Sequence, residues 1–232
     1  MLNYYTLGQG EIPILYLHGW GASGQAFYPV MEKLPRFFNV AVDFDGFGAS
    51  PNPPEQGFTV EDYAENAAEI IRALNLPKAV IVAHSFGCRV SLVLAAKYPE
   101  LIDRLLLFAP AGIRRFSFKR WCRVRLYKVK KRLGLSNRAA SGSADYQATP
   151  DALKSTFVKV VNQDLSSYAR QIRCKTLIVA GRQDKAVPYR DALRLAKLIQ
   201  NSDLAQICGD HFQLFYTPDT FAEIIRIFVE EP

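Results

Sequence analysis

Acidic residues are missing from a long stretch of this 232-residue chain: no aspartate or glutamate occurs from Arg104 to Ala144. Eleven Lys or Arg fall between Arg114 and Arg138, which leaves 18 of the 29 basic residues to face 22 acids elsewhere. The net charge of +7 therefore belongs to one segment. Long apolar runs are missing too, and none approaches the roughly 18 residues that a membrane span needs. The N-terminal stretch "MLNYYTLGQGEIPILYLHGW" has neither a basic leader nor the uninterrupted apolar core of a secretory signal. A cytoplasmic protein that is not transmembrane is expected. Cysteine is sparse: Cys88, Cys122, Cys174 and Cys208 form no CxxC pair and no mixed Cys/His spacing suited to a metal. Free thiols in a reducing compartment are expected, and neither a metal nor an organic cofactor is required.

A hydrophobic share of 49% is enough for an ordinary core, and the length suits one domain. Short β-branched runs alternate with helical patterns, which predicts an α/β protein with a mainly parallel central sheet flanked by helices. Strands are expected near residues 2–6, 14–17, 39–43, 79–83, 105–109, 176–180 and 205–207, and helices over about 24–34, 59–74, 86–98, 189–200 and 218–229. The alternation breaks once, where some sixty residues lack a clear core strand. This predicts a core made of residues 1–110 and 174–232, with residues 111–173 inserted as a helical cap.

The segment "AVIVAHSFGCRV", Ala79 to Val90, is apolar and β-branched before it places a serine between a histidine and a phenylalanine. In open parallel sheets, ligands sit beyond the carboxyl ends of the strands. Small residues two before and two after a serine allow a sharp strand-to-helix turn that holds the hydroxyl exposed. Ala83 and Gly87 occupy those positions, although alanine stands where glycine is usual. Most serines at helix starts are only caps, so the placement after a buried strand is what raises Ser85 to a candidate nucleophile.

A nucleophilic serine needs a base, and the base needs an orienting group. The chain has three histidines. His84 adjoins the serine and should leave the turn in another direction, and His18 follows an early strand. His211, in "CGDHFQLF", follows the last predicted strand and is the natural base. In "TLIVAGRQDKAVP", Asp184 lies in the loop after the penultimate strand and is the expected acid. The rival acid is Asp210, directly before His211, but sequence neighbours rarely face one another at a turn.

The motifs "LHGWG", "VDFDGFGAS", "AHSFG", "GRQDKAVP" and "GDHFQLF" together resemble the α/β-hydrolase superfamily over nearly the whole chain apart from the cap. The resemblance implies a serine hydrolase acting through an acyl-enzyme on Ser85, His211 and Asp184, with carboxylic esters or thioesters as the commonest substrates of a superfamily that also includes amidases, lactonases and carbon–carbon bond hydrolases. It also implies an oxyanion hole from the backbone N–H groups of Trp20 and Phe86. The "HGWG" and "DGFG" wording is similar to carboxylesterases, including those that act on methyl esters of acyl groups carried by acyl carrier protein. Phenylalanine after the histidine, rather than tryptophan, weighs against carbon–carbon bond hydrolases.

Plainer roles compete at several positions. His18 is expected to stabilise a loop, Asp43 to hold nearby backbone, and Cys88 and Cys208 to act as small hydrophobes. Trp20 is expected to offer its amide, with the indole as pocket wall. In the cap, Phe118, Cys122, Leu126, Val129 and Leu133 recur at helical spacing and predict one apolar stripe, with most of the basic groups on the other faces. Uncompensated charge of this density suits an anionic partner such as acyl carrier protein or coenzyme A, besides a small-molecule ester or acyl substrate. Nucleic acid is not the expected partner. The competing class is a non-catalytic hydrolase-fold module that binds nucleic acid or an anionic surface through "RRFSFKRWCRVRLYKVKKRLG".

Overall fold

The computed structural model describes residues 2–113 and 144–231. Among them, seven strands form one sheet in the order β1-β3-β2-β4-β5-β6-β7. They are β1 (Tyr4–Leu7), β2 (Pro13–Leu17), β3 (Phe38–Val42), β4 (Ala79–His84), β5 (Ile102–Phe108), β6 (Lys175–Gly181) and β7 (Ser202–Ile207). All neighbours pair in parallel except β1, which runs antiparallel to β3 at the edge. Strands β2 and β4 are buried at every position, as expected where helices cover both faces of a parallel sheet.

Helices α1 (Tyr28–Met31) and α9 (Pro218–Glu230) cover one face, where Met31, Phe221 and Ile225 pack on Ile14, Tyr16 and Val80. Helices α2 (Val60–Ala73), α3 (Phe86–Lys97) and α7 (Tyr189–Leu198) cover the other. Helix α2 opens on a capping box: the Thr59 N–H donates to the Asp62 carboxylate at 2.7 Å, and the Asp62 N–H donates back to Thr59 Oγ1. A cap of this kind is worth about 1 kcal/mol.

One predicted helix is corrected. Residues 24–34 do not form a single helix but a 3₁₀ turn, Gly24–Phe27, followed by the short α1. Pro29 has no N–H to donate back into the preceding turn, so a regular α-helix starts at it rather than running through it. Of residues 111–173, the described part carries three short α-helices, α4 (Ala144–Ala148), α5 (Lys154–Asn162) and α6 (Ser166–Ala169), and a 3₁₀ turn, Asp151–Leu153. The stripe from Phe118 to Leu133 and the basic cluster lie outside the described residues.

Strand order also locates the functional crevice. The chain goes from β2 outward to β3, then crosses back to β4 on the far side of β2. Loops after β2 and β4 therefore diverge, and a cleft opens between them at the carboxyl edge, the position where open α/β sheets bind ligands.

Candidate active site

Ser85 joins β4 directly to α3 in a conformation that L-residues rarely adopt, with φ of 50° and ψ of −103°. Positive φ at a non-glycine residue costs on the order of 1–3 kcal/mol and persists only where surrounding structure enforces it. Here the Ser85 N–H donates to the Phe108 carbonyl of β5 at 3.0 Å. The turn is tight enough that Gly87 abuts the last carbonyl of β2. The hydroxyl is thereby presented at the cleft.

His211 sits after β7, between Gly209, with φ of 138°, and the one-turn helix α8 (Gln213–Tyr216). Its Nε2 lies 2.9 Å from Ser85 Oγ, and its Nδ1 lies 2.8 Å from Asp184 Oδ2. A carboxylate only accepts, so Nδ1 carries the proton and Nε2 is the free base facing the hydroxyl. Asp184 is buried, and its Oδ1 accepts from the N–H groups of Val187 at 2.7 Å and Ala186 at 2.8 Å. Burial alone would raise this carboxyl, but the bond to His211, the two N–H donors and the histidine's charge outweigh it and hold the group below its ordinary range. The structure thus brings Ser85, His211 and Asp184 into one hydrogen-bonded line. Asp210 points elsewhere, its Oδ1 accepting from the N–H of Phe212 at 2.8 Å.

Trp20 follows β2 in a turn closed by the Ala22 N–H to the Gly19 carbonyl at 3.2 Å, with Gly21 at φ of 80°. Phe86 is the first residue of α3, where helix geometry leaves the N–H without an intrahelical acceptor. The two residues meet directly: their rings stack edge to face with centroids 5.3 Å apart. The Trp20 indole also packs on Phe47 at 4.9 Å and on Phe157 of α5 at 5.2 Å, and its Nε1–H donates to Thr149 Oγ1 at 3.3 Å. Its indole lies in an aromatic cluster to which residues 144–173 contribute Phe157.

His18 and Asp43 hold this cleft together from behind. His18 is fully buried, accepts from the Phe44 N–H on Nε2 at 3.0 Å and faces the Gly19 carbonyl with Nδ1 at 2.7 Å. These partners require the neutral Nδ1–H tautomer, and burial pushes the imidazole down to about 4. Asp43 Oδ1 accepts from the Gly24 N–H at 2.7 Å, and its Oδ2 accepts from Ala49 N–H, Asn3 and Tyr5. Burial opposes ionisation of Asp43, but these donors prevail and keep the carboxyl below its usual range. Cys88 is buried with its thiol toward the carbonyls of Ala83 and Phe108, and burial pushes it up, so it is no thiolate. Cys208 is exposed.

Two features escaped the sequence. The Nε2 of His84, the residue before Ser85, reaches the main-chain carbonyl of His211 at 2.8 Å. Phe157 and Thr149, far along the chain, reach Trp20. Neither contact has a signature at short sequence range.

The fold is that of an α/β hydrolase. The family model described as the alpha/beta hydrolase fold matches residues 12–129, and the chain belongs to that family. Among curated relatives, it is 30% identical over 250 residues to a 2-hydroxy-6-oxo-2,4-heptadienoate hydrolase of Pseudomonas putida, covering 91% of this chain and 87% of the relative. It is 27% identical over 257 residues to a 2-(acetamidomethylene)succinate hydrolase of Mesorhizobium japonicum, covering 99% and 91%. An esterase from Exiguobacterium antarcticum shares the fold, with a TM-score of 0.80 at 19% identity over 99% of this chain and 96% of that one. The relatives thus carry the names of hydrolases, and the structural neighbour that of an esterase.

Proposed function

We propose that the protein is a serine hydrolase that cleaves carboxylic esters or thioesters through an acyl-enzyme. The observation that carries the reading is the line from Ser85 Oγ through His211 to Asp184, at 2.9 and 2.8 Å. As the hydroxyl attacks the carbonyl carbon, its proton passes to His211 Nε2, and the buried Asp184 carboxylate stabilises the imidazolium. The carbonyl π electrons move to oxygen, and the N–H groups of Trp20 and Phe86 stabilise the resulting oxyanion, each donor worth a few kcal/mol in the transition state. Collapse expels the leaving alkoxide or thiolate, which takes the proton from His211. Water, deprotonated by the same nitrogen, then attacks the acyl carbon to give a second oxyanion, whose collapse releases the acid and expels Ser85 Oγ, which takes the proton back from His211.

Residues 111–173 act as the cap in this reading, with Phe157 forming part of the acyl pocket beside Trp20. The basic cluster at 114–138 favours an anionic carrier of the acyl group, such as acyl carrier protein or coenzyme A. The thiols of Cys88, Cys174 and Cys208 are free among the described residues, consistent with a cytoplasmic setting.

The test is fluorophosphonate labelling with peptide mapping, followed by a hydrolysis screen over esters, thioesters, amides and carbon–carbon cleavage substrates. Labelling at Ser85 and turnover of esters or thioesters are expected, both abolished in Ser85→Ala with the fold retained. Wild-type protein that resists labelling would leave a non-catalytic binding module. Labelling with turnover confined to carbon–carbon or amide substrates would keep the nucleophile and overturn the substrate class.

A further inference from the structure

The His84 side chain is buried. Its Nε2 faces the His211 carbonyl at 2.8 Å; a carbonyl only accepts, so Nε2 carries the proton. Its ring packs on those of His211 at 4.9 Å and Phe215 at 5.1 Å. Its Nδ1 then bears a bare lone pair and has no hydrogen-bond partner among the described residues. That nitrogen sits under Gly19, where a Cβ would come within 2.8 Å of it. An apolar ring would fill this space without leaving an unsatisfied nitrogen, so packing alone does not account for an imidazole here.

The distinctive thing His84 does is join the nucleophile's strand to the main chain of the base. It is the residue before Ser85, and His211 lies 127 positions further on, on a loop. Other ties fix that loop to itself and to the β6 side: Asp210 holds Phe212 N–H, and Gln183 Oε1 accepts from Gly209 N–H at 2.7 Å while its own N–H donates to the Gly209 carbonyl at 3.0 Å. Asp184 sets the rotation of the imidazole. None of these ties fixes the loop's distance from Ser85.

We propose that His84 is a positioning residue, whose Nε2–H donates to the main-chain carbonyl of His211 and keeps the base in register with Ser85 Oγ. The inference rests on the serine-hydrolase reading and deepens it. A neutral donor suits this place, because a second positive charge 4.9 Å from His211 would oppose the imidazolium formed at each proton transfer.

Three substitutions separate the role from mere bulk. His84→Gln keeps a neutral N–H donor at nearly the same reach, His84→Leu fills space without a donor, and His84→Asn carries a donor that stops short. The readouts are kcat and KM on an activated ester, the rate of fluorophosphonate labelling at Ser85, and the low-field proton resonance of the His211–Asp184 bond. Leu and Asn are expected to lose roughly 10- to 100-fold in kcat and labelling rate with KM little changed, since displacements near 1 Å cost that much. They should also broaden the low-field resonance, while Gln retains most of the rate and a sharp signal. Leu equal to wild type in all three readouts, or Gln impaired as far as Leu at matched melting temperature, would overturn the role. If Leu does not fold, the same comparison is made between Gln and Asn. Wild-type protein that is not labelled at Ser85 would count against the hydrolase reading instead, and the resonance would still report whether His84 holds the loop.

Discussion

Gly87 and Leu17 are in backbone contact: a Cβ on Gly87 would stand 2.1 Å from the Leu17 carbonyl oxygen and 2.6 Å from its carbon. This approach sets the start of α3 against the end of β2, where the chain continues into the turn holding Trp20. Gly87→Ala must push α3 off β2. It is expected to cost roughly 1–3 kcal/mol, the usual penalty for overpacking. At about 2–4 °C per kcal/mol for a chain of this size, the melting temperature falls by several degrees. The labelling rate at Ser85 should fall with it, and thermal melts beside labelling kinetics check both.

Asp184 and Asp210 should differ sharply. Asp184→Asn removes the anionic partner of His211 Nδ1 and is expected to lower kcat by about 10⁴-fold, as loss of the orienting carboxylate does in serine hydrolases generally. Asp210→Asn loosens one N–H contact at the start of α8 and should cost less than roughly 10-fold. Steady-state kinetics on one activated ester, with both variants at equal folded fraction, rank the pair. The opposite ranking would move the acid to Asp210.

Stability should decline between neutral and mildly acid pH. His18 and His84 are both buried and pushed down to about 4, while in the unfolded chain they titrate near 6.5. Across that window the unfolded state binds more protons, so stability falls as pH falls from about 6.5 to 4. Asp43 and Asp184, held below their ordinary range, add a separate loss at lower pH, from the unfolded carboxylate range down through their folded values. Melting temperatures from pH 7.5 to 4.5 test the first window. His84→Gln should flatten the slope by its share, and a wild-type profile with no decline would contradict neutral burial of these two rings.

The basic cluster makes a prediction from charge alone. If it attracts an anionic acyl carrier, kcat/KM for that substrate should fall steeply with salt, because screening acts over about 8 Å at physiological ionic strength. Hydrolysis of a neutral short ester should not. Changing Arg120, Arg123, Lys130 and Lys131 together to glutamine should flatten the first dependence and leave the second. Equal salt slopes for both substrates would reduce the cluster to a solvated face.

The sequence by itself determined the scaffold and the chemical candidates. Strands β2 and β4 announce themselves as short apolar runs between turn residues, because a strand covered on both faces must be apolar along its length, whereas the edge strand β7 mixes Ser202, Asp203 and Gln206 with its apolar residues. Ser85 is legible for a local reason too: the residues around it are small enough for a strand-to-helix turn. With few histidines in the chain, composition alone narrows the choice of base. Only the tertiary structure decided which acid faces His211, since Asp210 is its chain neighbour and Asp184 is 27 residues away, and their side-chain directions depend on how the loops after β6 and β7 settle against each other. It alone brought Phe157 across the chain to Trp20 and turned His84 toward the carbonyl of His211. Local propensity reports what a residue does to its own turn, whereas these contacts span over a hundred residues and arise from packing, for which short sequence patterns carry no trace.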